Sequence, residues 1–314
     1  MDQIFSIAFL TSFLGAAVSS SAPLAYAALG EIYSEKAGIL NIGLEAIMLA
    51  GAFSSFAAAY LFGNLWIGLL GGMLGGLLVC MLHAFLSVSL SQNQTIVGVA
   101  LNMFMLGVTS YSINILVSSS TSAFPQVTTF PKLPIPVLSS IPILGSALFN
   151  QNILVYILYL LMIISHIFFK YTQWGNSLTA VGEHPRAADT AGIQVYKVQY
   201  ISAAVNGIMG GIGGAYMVLA QLGVFTENLT AGRGFIALAI VIFGRREPIR
   251  VALAALLFGA LEGMQFRMQA IGVNLPVQFM TMLPYLITMI SLLGSIGKQR
   301  DPGNLGKPYI RSNK

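Results

Sequence analysis

The chain has 314 residues, 56% of them hydrophobic and only 8% charged, with a mean hydropathy of +0.80. Soluble domains carry roughly 25% charged residues, so the composition excludes a soluble fold and leaves a polytopic, all-α integral membrane protein. The formal net charge of +5 calls for no nucleic acid, because Lys and Arg accumulate in the cytoplasmic loops of membrane proteins.

In chain order, the first apolar stretch long enough for a hydrocarbon layer of about 30 Å is 6–30. Met1-Asp2-Gln3 offers no positive n-region, so a cleavable signal peptide is not expected. The second stretch, 41–62, carries Asn41 and Glu45 four residues apart. A carboxylate in hydrocarbon costs about 3 kcal/mol even on a lenient scale, so Glu45 requires either a partner or a role. The third stretch, 65–87, aligns Gly68, Gly72, Gly75 and Gly76 on one helix face, which suits close packing in lipid. It also holds Cys80, the single cysteine, which excludes an intrachain disulfide.

The fourth stretch, 95–117, spaces Thr95, Asn102 and Thr109 seven apart. Five prolines then exclude regular helix through most of 118–151. That segment reads as an inert connector or as a docking surface outside the cytoplasm. A fifth stretch, 152–170, precedes a polar segment, 171–198. The sixth, 199–221, repeats the glycine stripe at Gly207, Gly210, Gly211 and Gly214. Helix packing explains both stripes, and a pair of related halves is the sharper alternative.

The next apolar segment, 235–243, is short and flanked by Gly232, Gly234 and Gly244. Its crossing decides the topology. With it, nine spans put twelve of the fifteen basic residues inside; without it, the last two clusters, eight residues, move outside. The positive-inside rule therefore predicts nine crossings, N-terminus out and C-terminus in. A broken helix is tolerated only where protein or a wet cavity covers its loose backbone, and such segments mark transporter pathways. The eighth span, 251–271, holds Glu262, Gln265 and Gln269 within about 60° of one another on a helical wheel. Arg267 is five residues beyond Glu262, poorly placed to pair with it. The last span is 277–297, giving a transmembrane region of 1–297 and a basic cytoplasmic tail, 298–314.

Enzymatic chemistry finds no foothold. His83, His166 and His184 are scattered, so no metal spacing arises, and no cofactor is expected. The Gly-Lys of SIGKQR (295–300) lacks the phosphate-loop frame: Leu292 stands where the first glycine belongs, and Gln299 follows the lysine. The polar positions inside spans, Asn41, Glu45, Asn102, Glu262, Gln265 and Gln269, are candidates for a shared wet pathway, with interhelical hydrogen bonding as the alternative. In TAVGEHPRAADTAGIQVYK (179–197), Pro185 suits the first turn of a helix. Arg186 to Ala191 then forms a short helix along the membrane face, with Glu183 beside its positive end. The surface of Gly182, Glu183, His184, Pro185, Arg186, Ala187 and Ala188 is either a connector or a lever seated in a partner's groove.

Three stretches resemble one family in the correct order. EKAGILNIGLEAIMLAGAF (35–53) resembles the opening signature of permease subunits of bacterial nucleoside ABC importers, within the branched-chain amino acid and sugar permease superfamily. GEHPRAADTAGI (182–193) resembles their cytoplasmic coupling motif, with His184 in place of the usual Asn. GRGFIALAIVIFGRREP (232–248) resembles their Gly-rich lead into a short helix, and Ala46 departs from the glycine that usually follows Glu45. The resemblance implies an importer in the bacterial cytoplasmic membrane. In it, two permease chains, often non-identical, sit on ATP-binding cassette ATPase subunits and receive solute from an extracytoplasmic binding lipoprotein of the basic-membrane-protein type. Glu45 would then shape the pathway or cap an interrupted helix. A sugar or branched-chain amino acid permease is the nearest alternative. A proton-coupled secondary transporter with Glu45 or Glu262 as relay belongs to a different class.

Overall fold

The computed structural model describes residues 7–119, 125–136, 138–142, 144–270 and 301–311, with positions 282 and 286. The expected span 277–297 lies outside the described residues. Within them, seven helices are long and apolar enough to cross a membrane, and an eighth apolar helix is shorter.

Helix α1, Ile7–Lys36, is 30 residues long, about 45 Å at 1.5 Å per residue. The sequence placed its end near residue 30, where Glu31 interrupts the apolar run. The helix continues because Glu31 and Glu35, both buried, find partners inside the protein. Gly38, at φ 85°, turns the chain back, and 37–43 is an irregular connection. Helix α2 spans Leu44–Phe62. Asn41 thus lies in this connection and not one turn before Glu45 on a common helix, which corrects the sequence reading.

Helix α3, Leu65–Ala84, runs on through a π-helical turn at Phe85–Ser89, and α4 follows at Gln94–Ser119. Little of 125–152 is helical. A two-stranded antiparallel pair, β1 (Lys132–Pro134) and β2 (Asn150–Asn152), brackets the six-residue α5, Leu144–Phe149. Helix α6 is Ile153–Tyr171. The polar segment after it contains more helix than expected. An 11-residue α7, Gln173–Glu183, is capped by the Thr172 side chain and precedes α8, Pro185–Thr190. Helix α9, Val195–Tyr216, continues through a π turn at Met217–Leu222. The short α10, Arg233–Phe243, and α11, Pro248–Ala270, complete the described helices.

The two glycine stripes face each other. A Cβ on Gly211 would strike the Gly72 carbonyl, one on Gly76 the Gly207 carbonyl, and one on Gly51 the backbone of Gly211. Helices α2, α3 and α9 therefore approach backbone to backbone, as small residues permit in lipid. Helix α1 packs along α9 and α11. Helices α1, α2 and α9 are mostly buried, whereas α4 and α6 present exposed rows such as Met103, Phe104, Ile163 and Ile167. Such rows suit hydrocarbon.

Candidate translocation pathway and coupling surface

Glu45 is the second residue of α2, yet its carboxylate does not serve its own helix. Oε1 accepts the Thr230 hydroxyl at 2.5 Å and the Gly232 amide at 2.8 Å, and Oε2 accepts the Gly234 amide at 2.6 Å. Those amides open α10, whose N-cap Gly232 has φ 87° and no capping side chain of its own. Glu45 is thus the cap of a helix nearly 190 residues away. The first amides of any helix lack internal partners and carry its partial positive charge, so the carboxylate and the helix end satisfy each other. Gly234 is needed there, because a Cβ would run into the Glu45 backbone.

The start of α2 is served in turn from α4. Asn102 Oδ1 accepts the Ala46 amide at 2.9 Å, and its Nδ2 donates to the Ile42 carbonyl at 3.1 Å. Glu262 of α11 forms an ion pair with Arg233, the first residue of α10. The structure therefore joins Glu45, Asn102 and Glu262 around one feature, the N-terminal end of the broken helix. Gln265 is half-buried on α11, and the side chains of Arg267 and Gln269 lie outside the described ones. The Thr95, Asn102, Thr109 stripe does not line a single wet face. Thr95 is exposed, and Thr109 is buried with its hydroxyl on the Met105 carbonyl of its own helix.

Asn41 belongs to a second polar cluster. Its amide donates to Glu31 Oε1 at 3.0 Å and its Nδ2 to Cys80 Sγ at 3.5 Å. Asn206 of α9 donates to Glu31 Oε2 at 2.6 Å and to Ser34 at 2.9 Å. Near the other end of α10, Arg246 donates to Glu35 Oε2 at 2.5 Å and to Asp301 Oδ1 at 2.7 Å. Burial opposes the Arg246 charge, but the Glu35 and Asp301 carboxylates outweigh it and raise its pKa above the usual guanidinium value.

In the segment expected to couple, Gly182, Pro185 and Ala188 face inward, while Glu183, His184, Arg186 and Ala187 are exposed. Ala188 is packed with Leu178, Val181, Val195 and Tyr309. The Gly182 carbonyl accepts the Asn304 amide at 2.9 Å, so the segment around Asn304 lies against this loop.

Residues 13–292 match the family described as branched-chain amino acid transport system / permease component. The chain belongs to this family. Among its relatives is the guanosine ABC transporter permease protein NupQ of Bacillus subtilis (strain 168), 36% identical over 98% of this chain and 99% of that protein. The nucleoside ABC transporter permease protein NupC of Lactococcus lactis subsp. cremoris is 35% identical over 93% and 94% of the two chains. The putative glucose ABC transporter permease protein TsgC13 of Haloferax volcanii is 34% identical over 91% and 92%.

The protein is therefore a multi-pass permease of an ABC importer, a transport component and not an enzyme, and the family implies a separate ATPase and a second permease beside it. Of the residues that the structure joins around the start of α10, the sequence singles out Glu45, Asn102 and Glu262 but not Arg233, and it gives no sign of the partnering of Glu31, Glu35 and Arg246. Arg233 lies in no apolar span, and the signal that marks it is its position between Gly232 and Gly234, at the start of the broken helix. Glu31 and Glu35 fell beyond the expected end of the first span. Arg245 and Arg246 belong to the basic clusters that the positive-inside rule counts, and nothing in the sequence sets Arg246 apart from its neighbours.

Proposed function

We propose that this permease forms the pathway for nucleosides in a bacterial cytoplasmic-membrane importer, with nine spans, N-terminus out and C-terminus in. A heterodimeric permease pair would sit on the ATPase subunits below an extracytoplasmic binding lipoprotein. The observation that carries the choice of solute is the carboxylate of Glu45 on the N-terminus of α10. That helix of 11 residues rises about 16 Å, half of a hydrocarbon layer of about 30 Å. With Arg245 and Arg246 at the cytoplasmic face, its N-terminus lies near the midplane, where broken helices of other transporters greet anionic groups of their substrates. Here that positive end is already neutralised, which disfavours a solute that brings a carboxylate. A neutral, hydrogen-bonding solute suits the site, and the relatives named for guanosine and nucleosides narrow it to nucleosides. The relative named for glucose makes a sugar the second reading.

Solute contact is assigned to the region of Glu45, Asn102, Glu262, Gln265 and Gln269, with Asn41 supporting it from the adjoining cluster. The exposed face Glu183, His184, Arg186 and Ala187, backed by Gly182, Pro185 and Ala188, is assigned to the ATPase. Uptake of labelled guanosine, competed by unlabelled nucleosides, hexoses and branched-chain amino acids, tests the solute. Competition by nucleosides alone is expected, and absence of guanosine uptake alongside uptake of labelled hexose would establish the second reading. Uptake should also continue when an uncoupler collapses the proton gradient at constant ATP; arrest would mean a proton-coupled carrier.

A further inference from the structure

Residues 301–311 are fastened at several points to the rest of the chain. Asp301 pairs with Arg246; the amides of Gly303 and Asn304 donate to the Glu183 carboxylate at 3.1 Å and the Gly182 carbonyl at 2.9 Å; and the Gly306 amide reaches the Gly38 carbonyl at 3.1 Å. Further on, the Tyr309 hydroxyl donates to Asp189 at 3.0 Å, Tyr196 donates to the Tyr309 carbonyl at 3.1 Å, and Arg311 pairs with the same Asp189. These anchors lay a strap across α7 and α8 and fasten it to the turn that ends α10.

Strap and loop enclose a groove of about 630 Å³, with Glu183, His184, Arg186 and Ala187 on one wall and Pro308 and Ile310 on the other. Ile310 is 65% exposed on a wall otherwise held by polar anchors. Because both walls belong to one groove, they lie on the same side of the membrane whichever way the chain is inserted. A subunit docked on the exposed loop residues would therefore meet the strap as well.

We propose that the strap 301–311 is the second wall of the ATPase seat, with Ile310 as its apolar contact. This rests on the reading of the loop as the ATPase-docking element. The tie through Asp301 and Arg246 gives the seat a mechanical link to α10 that does not run through α7 or α8. The strap thus supplies docking surface and, through the same residues, holds that surface against the short helix.

The test uses a photo-crosslinking amino acid placed at position 310, at position 187, or at the apolar-face position 163, in the complete permease–ATPase complex purified from membranes. Crosslinks to the ATPase chain, identified by mass, are expected from 310 and 187 and absent from 163. Crosslinking from 187 without 310 would overturn the strap proposal and leave the loop reading standing. Crosslinking from neither would overturn both, and crosslinking from 310 alone would refute the loop reading and with it the two-walled seat. As a functional companion, Ile310→Glu alters an exposed side chain and none of the anchors. ATPase retention on purification is expected to fall at least tenfold at unchanged permease abundance, and undiminished retention would overturn the proposal.

Discussion

Replacing Glu45 separates two roles that an intramembrane carboxylate can have. In the structure it accepts three hydrogen bonds, two of them from the orphan amides that open α10. Glu45→Ala leaves the Gly232 and Gly234 amides without acceptors at a buried helix end. At about 1–3 kcal/mol for each unsatisfied buried donor, and up to about 1 kcal/mol for the lost charge at the helix dipole, the expected destabilisation is roughly 2–7 kcal/mol. Glu45→Gln is milder. Its amide oxygen can still serve Gly232, and Thr230 can rotate to accept from the new NH₂, but that NH₂ then confronts the Gly234 amide. One lost charge-assisted bond and the lost charge put this variant at about 2–3 kcal/mol. The assay is unfolding of the purified permease in mixed micelles by increasing SDS, read by fluorescence of Trp66 and Trp174, beside uptake in proteoliposomes. The predicted order of stability is wild type, then Gln, then Ala, with uptake falling in the same order. A relay carboxylate behaves otherwise: Gln would unfold at the wild-type midpoint while uptake vanished. Wild-type midpoints for both variants would refute the capping argument.

The ion pair between Arg233 and Glu262 is part-exposed, so a double-mutant cycle with Arg233→Ala and Glu262→Ala should return a coupling energy of about 1 kcal/mol or less, and Glu262→Leu should impair uptake while the folded complex survives. Ala188 is packed inside the α7–α9 cluster, so Ala188→Trp should overpack it and lower permease abundance. Ala187→Trp, on the exposed face, should leave abundance normal and cost ATPase retention; equal abundance for the two would contradict the assigned helix phase. Gly211→Ala drives a methyl into the backbone of α3, and at about 1–3 kcal/mol for overpacking its SDS midpoint should drop, whereas Gly107→Ala, with open space at its Cβ, should be silent.

The long spans were legible because hydropathy survives any detail of packing, and the glycine stripes because their spacing is helical. What the sequence could not convey was how polar groups inside the bundle are partnered. Asn41 and Glu45 look like one helical pair at a spacing of four, but α2 begins only at Leu44, which leaves Asn41 in the irregular connection 37–43 and sends the two side chains to different clusters. Glu31 and Glu35 read as the end of a span because hydropathy counts a charge as exposed. Asn206 and Arg246 bring the compensating donors from about 170 and 210 residues downstream. The inward orientation of Ala188 follows from Pro185 starting α8 and fixing its phase, so two adjacent alanines that look interchangeable are not. The strap was unreadable because DPGNLGKPY has neither helical nor strand periodicity, and its order comes from bonds to residues elsewhere in the chain.

The cross-capping has a consequence for how the permease moves. α10 is held at its first turn by Glu45 of α2, and α2 is held at its first turn by Asn102 of α4. Pulling α10 away from α2 would expose two orphan amides and an unpaired carboxylate inside the membrane together, each costing kilocalories. The starts of α2 and α10 and the turn of α4 around Asn102 therefore travel as one block during transport. The other end of α10 is fastened differently: Arg246 joins it to Glu35 of α1 and Asp301 of the strap, and the φ values of 54° and 56° at Arg245 and Arg246 put two non-glycine residues in the left-handed region, at roughly 1–3 kcal/mol each. A strained turn held by charged contacts can release where a saturated helix cap cannot. Under turnover, distance changes by spin-label pairs should thus be largest between Arg245 and Lys36 and smallest between Leu44 and Phe235. The reverse pattern would mean that the broken helix opens at its capped end, and Glu45 would then have to act as a gate.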